Sequence, residues 1–116
     1  MRERIKYHQE SDILLVEILL EKLDLFETPH VLSDVENAIK STATAAVVVD
    51  LKAVETIDSS GIGFLIAIRN RLLKEKVPLL VVCASPSVMQ VFRLTKIQQL
   101  IPVFATKDEA VASLSR

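Results

Sequence analysis

Three apolar runs set what this chain can become: residues 13–20, 45–51 and 79–83. The middle one, Ala45-Ala46-Val47-Val48-Val49-Asp50-Leu51, is apolar almost without interruption. A strand covered on both faces reads this way, whereas a strand with one wet face alternates. Between the runs, apolar residues recur at helical spacing. Val31, Leu32, Val35, Ala38 and Ile39 form one such set, and Val88, Val91 and Phe92 another. Strands that alternate with helices imply an α/β domain with a largely parallel sheet.

Capping signals place the boundaries. Thr28-Pro29 reads as a helix start, with Thr28 as N-cap and the proline in the first helical position. That helix runs to about Ile39. Asp58 or Ser59 caps a second helix that ends near Lys74. On it, Ile62, Leu65, Ile66, Leu72 and Leu73 gather on one side, and Phe64 and Ile68 project away from that side. Ser85-Pro86 repeats the cap-plus-proline start. Thr106-Lys107-Asp108-Glu109 has the form of a capping box, with Val111 and Leu114 on the inner face of the last helix. Residues 5–9 form a short partner strand for the first run, and Pro102-Val103-Phe104 a short last strand. Residues 22–27 read as a loop. The order is β, β, α, β, α, β, α, β, α. With 116 residues and no repeat, linker or low-complexity tract, one domain spanning 1–116 is expected.

Several function classes lose support on composition. The formal charge is −1 and aromatics are 4%, with no tryptophan. Neither a nucleic-acid surface nor a stacking platform is indicated. The cations Arg69, Arg71, Lys74 and Lys76 read as the wet face of a helix. No apolar run approaches the roughly 18 residues of a membrane span, and the first residues lack the apolar stretch of a secretory signal. The single cysteine, Cys83, sits in an apolar run and reads as a small buried hydrophobe. A cytoplasmic location is the default expectation, with no direct membrane insertion.

The chemistry concentrates in Asp58-Ser59-Ser60-Gly61-Ile62-Gly63, which holds both glycines of the chain. A helix N-terminus presents unpaired N–H groups and the positive end of its dipole, so it tolerates an anion. Capping alone accounts for these residue types. A phosphate added to a cap serine would bring about −1.5 to −2 charges without removing the helix, so that a partner surface could change sign. Catalysis is poorly supported. His8 and His30 are the only histidines, and no Gly-x-Ser-x-Gly elbow, metal-ligand spacing, dinucleotide fingerprint or phosphate-binding Gly-Lys-Ser/Thr is present. No enzyme, cofactor or metal is expected, and a small-ligand or nucleotide domain is the weakest reading. Phe64 and Ile68 offer a candidate apolar docking patch beside the serines.

These residues resemble the STAS domain (sulfate transporter and anti-sigma factor antagonist), and most closely the bacterial anti-anti-sigma factors. The resemblance rests on the Asp58–Gly63 segment between strand and helix, on Leu23-Asp24 before the first helix, on Val47-Val48-Val49-Asp50-Leu51, and on Ala84-Ser85-Pro86-Ser87-Val88 with Val91-Phe92. It implies a STAS-like fold with a mixed, largely parallel sheet of four or five strands and about four helices. It also implies a binding module that captures an anti-sigma factor serine kinase and so frees a sigma factor. The kinase would phosphorylate Ser59 to end binding, and a phosphatase would reset it. Asp24, Asp58, Ser60 and Gly61 would shape the contact surface. The alternative is a constitutive STAS interaction subunit of a stressosome-like scaffold or a transporter-ATPase complex. Its motives are Phe64, Ile68 and the absence of family glycines near Glu21, residues 75–78 and residues 94–97.

Overall fold

The computed structural model describes residues 3–115. Five strands form the main sheet: β1 (Ile5–Glu10), β2 (Ile13–Ile18), β4 (Ala46–Asp50), β6 (Leu79–Val82) and β7 (Val103–Phe104). Their spatial order is β1-β2-β4-β6-β7. Only β1 and β2 pair antiparallel, as a hairpin, and the other pairings are parallel. Every residue of β4 and β6 is buried, the condition their unbroken apolar character anticipates. Four helices complete the fold: α1 (Thr28–Lys40), α2 (Ser59–Leu73), α3 (Pro86–Thr95) and α4 (Lys107–Ser113).

Strand alternation divides the core in two. Leu14, Val16, Ile18, Val47, Val49, Leu79 and Val81 face a large cluster that contains the buried residues of α1, α2 and α3. Leu15, Val48, Leu80 and Val82 face a smaller cluster closed by Ala110, Val111 and Leu114 of α4. The mixed, largely parallel sheet and the helix count match the sequence expectation. Cys83 is buried as expected, and burial pushes its thiol above the usual range.

Three local expectations are corrected. First, residues 22–27 are not wholly loop. Lys22–Leu23 is a short strand, β3, which pairs parallel with β5 (Thr56–Ile57). Two-residue strands carry no period for the sequence to display. Second, Thr28 does not cap α1. It lies buried inside the helix. The N-cap position is Glu27, which makes no side-chain cap bond, and Asp24 instead orders the turn before it, its Oδ1 accepting from the N–H groups of Phe26 at 3.0 Å and Glu27 at 3.2 Å. Its backbone oxygen also accepts from Glu27 and Thr28, so the turn before the helix is already closed. Third, α2 buries a different face. Gly61, Ile62, Phe64, Leu65, Ile68 and Leu72 point inward, while Leu73 is exposed. This helix is apolar around most of its circumference, so periodicity alone does not select the buried side.

Candidate functional site

The small β3–β5 sheet brings two distant loops together. Glu55 and Thr56 donate their N–H groups to the carbonyl of Glu21, and Asp58 donates its own to that of Leu23. The Ser85 hydroxyl donates to the carbonyl of Glu55 at 3.2 Å. The loops that follow β2, β4 and β6 therefore meet at the carboxyl ends of the parallel strands, where open α/β sheets place their binding surfaces.

Asp58 is the centre of this cluster. Its backbone is extended, which suits an N-cap. Oδ1 accepts from the N–H groups of Ser60 at 2.9 Å and Gly61 at 3.1 Å, and from the Ser60 hydroxyl. Oδ2 accepts from the N–H of Leu25 at 3.2 Å. The Ser60 hydroxyl and these backbone donors hold the Asp58 carboxyl below the ordinary carboxylate range.

The two serines differ sharply. Ser60 is half-buried and its hydroxyl is committed to Asp58. Ser59, in the first helical position, is exposed, and its hydroxyl has no hydrogen-bond partner among the described residues. It stands at the N-terminus of α2. Gly61 is required by close packing. A Cβ there would run into Ile57 Cγ1 and lie 2.8 Å from the Leu23 carbonyl oxygen. Gly63 meets no such demand, since nothing lies within 4 Å of where its Cβ would be.

The structure thus brings Asp24, Asp58, Ser59, Ser60 and Gly61 into one neighbourhood. It does not support Phe64 and Ile68 as an exposed patch. Phe64 is 3% exposed and Ile68 is 0% exposed, because α2 turns this side toward α1 and the sheet. Phe64 reaches only the wall of a shallow groove of about 270 Å³, lined by Thr28, Pro29, Leu32, Ser60, Gly63 and Phe64. The exposed apolar residues at the site are instead Leu25 and Phe26, 65% and 81% exposed. They ride on the turn that Asp24 closes and Asp58 tethers. Their signal in the sequence was two large apolar side chains in a short stretch with no periodic partner.

His8 bonds Glu10 on β1, and no hydrogen bond links either histidine to Ser59. No group of three or more His, Cys, Asp or Glu is arranged to hold a metal ion there. Among the described residues, no helix is long and apolar enough to cross a membrane.

Comparison with known proteins follows the same line. Residues 4–110 match the STAS domain family model. No curated protein matches the chain. Among solved structures, an anti-sigma factor antagonist STAS domain protein from Planctomyces limnophilus superposes with TM-score 0.84 at 23% identity, covering 96% of this chain and 97% of that one. An anti-sigma factor antagonist from Mycobacterium paratuberculosis gives TM-score 0.81 at 22% identity, covering 95% and 92%. The anti-sigma factor antagonist SpoIIAA in its unphosphorylated form gives 0.73 at 19% identity, covering 95% of each chain. Similarity at this level of identity speaks for a common fold.

Proposed function

The chain belongs to the STAS domain family, and from that premise we propose that it is an anti-sigma factor antagonist switched by phosphorylation of Ser59. The observation that carries the reading is the contrast between the serines: Ser59 exposed and unbonded, Ser60 tied to Asp58. In the unphosphorylated state the chain binds an anti-sigma factor serine kinase and so frees a sigma factor. Leu25 and Phe26, the groove beside Gly63, and the polar rim of Asp24, Asp58, Ser59 and Ser60 form the contact surface. The kinase brings ATP and the catalytic groups, and this chain brings the acceptor hydroxyl. A phosphatase restores the binding form.

The physics of the switch is local. Phosphate adds about −1.5 to −2 charges next to the Asp58 carboxylate and the apolar pair Leu25 and Phe26. The helix N-terminus accepts this charge, so the fold survives. A partner that covers the site must then desolvate it. A tenfold loss of affinity needs only about 1.4 kcal/mol.

A binding titration of the wild-type chain and its Ser59→Asp variant against an anti-sigma serine kinase tests the proposal. At least a tenfold weaker complex for the variant is expected. Equal affinity would overturn the switch and leave a constitutive interaction subunit as the better account. Recovery of a transporter ATPase or a large scaffold in place of a kinase would have the same meaning.

A further inference from the structure

β1 is an edge strand of the main sheet. Its only described partner is β2. It is six residues long and mostly exposed, long enough to template pairing with another strand. The Leu19 N–H donates to the Arg4 carbonyl at 2.8 Å, and continuing the ladder one pair beyond Ile5 and Ile18 sets these two residues opposite each other. Hydrogen-bonded pairs alternate along an antiparallel ladder, so the even-numbered residues of β1 bond to β2. The backbone N–H and C=O groups of Ile5, Tyr7 and Gln9 therefore point outward and have no strand to meet.

The side chains follow the same alternation. Ile5 packs on the α1 side of the sheet. Tyr7, on that side, is 46% exposed beside a cleft of about 670 Å³ between β1 and α1. Lys6 and His8 line the opposite face with Leu15 and Val48, and Glu10 reaches Lys107 of α4 there at 3.8 Å. Lysines on an edge strand usually discourage pairing. Here Lys6 is followed four residues later by Glu10. That spacing makes the strand complementary to itself when it runs antiparallel.

We infer that the β1 edge is a docking surface for a second copy of this chain, which pairs antiparallel with Tyr7 opposite Gln9 and Lys6 opposite Glu10. Each Tyr7–Gln9 pair exchanges two backbone N–H···O bonds. Each Lys6 faces Glu10 of the second copy across a closer, non-hydrogen-bonded pair, and the two His8 side chains meet on the two-fold axis. The two tyrosines become diagonal neighbours about 7–8 Å apart, within reach of aromatic rings. Other registers fit less well. Placing Ile5 opposite Gln9 sets Lys6 against His8. That register leaves Lys6 with no carboxylate opposite it. Sliding the other way leaves Gln9 opposite Gln9 as the one outward pair inside the strand, because Tyr7 then faces Ser11, which leaves the strand at φ 56°.

A pairing of one short strand makes a weak dimer, so its test scans concentration, from about 10 µM to about 1 mM. Sedimentation velocity should show a monomer–dimer equilibrium within that span. Tyr7 is the only tyrosine and no tryptophan is present, so intrinsic emission should change along the same curve. Lys6→Glu and Glu10→Lys, alone, oppose like charges and should each weaken association roughly tenfold or more. Mixed in equal amounts, the two variants regain both opposite-charge pairs and should associate with each other. Gln9→Pro, which deletes one outward N–H at a position an edge strand tolerates, should also weaken association while the circular dichroism spectrum is unchanged. A wild-type chain that stays monomeric throughout, an edge occupied only by a strand of another protein, or variants that fail to associate on mixing would each overturn the inference.

Discussion

Asp58 and Leu25 are 33 positions apart in sequence, yet the carboxylate of one accepts the backbone N–H of the other at 3.2 Å. The same carboxylate caps α2. One side chain thus starts the helix that presents Ser59 and anchors the turn that presents Leu25 and Phe26. Asp58→Ala should destabilise the fold by about 1 kcal/mol, the usual value of an N-cap. Hydrogen exchange at the Leu25 amide should speed up well beyond the global change. Asp58→Asn, still a good cap, should recover most of the stability.

The charge state of Asp58 gives the pH dependence its sign. Its carboxyl is held below the ordinary range by the Ser60 hydroxyl and by backbone donors. A depressed folded-state value means that the unfolded chain binds the proton more readily. The contribution is therefore complete above the unfolded-state value, about 3.9, and is lost as pH falls through the lower folded-state value. Wild-type stability should drop over that acidic window by more than that of Asp58→Asn. Denaturant titrations across it would show equal slopes if the carboxylate had no such role.

The two glycines should behave oppositely. Gly61→Ala drives a methyl into Ile57 and the Leu23 carbonyl, and overpacking of this kind costs about 1–3 kcal/mol. Gly63→Ala meets open space and should stabilise α2 by roughly 0.5–1 kcal/mol. If the groove beside Gly63 takes a closely packed partner, the same change should weaken binding. Thermal melts and partner titrations on one pair of samples would separate these effects.

Phe26 and Phe64 form a second contrast. Phe64→Ala empties a core position, and such truncations cost about 3–5 kcal/mol. Phe26→Ala should leave stability within about 0.5 kcal/mol, since the ring is 81% exposed. It should lower partner affinity by about 2 kcal/mol if Phe26 anchors the complex. Unchanged affinity would remove the apolar turn from the contact surface.

Much of this was legible in the chain. The unbroken apolar character of residues 45–51 and 79–83 marked buried parallel strands, and Asp58 and Ser85 marked helix starts through local side-chain chemistry. What escaped was set by tertiary contact. The β3–β5 pairing rests on two residues a side, too few for periodicity to register. The buried face of α2 depends on what surrounds it, because apolar residues occupy most of its circumference. Phe64 and Ile68 were therefore misplaced, and Leu25 and Phe26 emerged only once Asp24 and Asp58 were seen to hold their turn in place. The resemblance already implied Ser59 as the acceptor, and the structure adds that the Ser60 hydroxyl is committed to Asp58.

That distinction supplies the most direct test. Wild-type, Ser59→Ala and Ser60→Ala chains would be incubated with an anti-sigma serine kinase and ATP, then examined by intact-mass and fragment-ion mass spectrometry. The account predicts one phosphate on Ser59 in the wild-type and Ser60→Ala chains, and none on Ser59→Ala. A phosphate mapped to Ser60, or a Ser59→Ala chain modified at the wild-type rate, would contradict it.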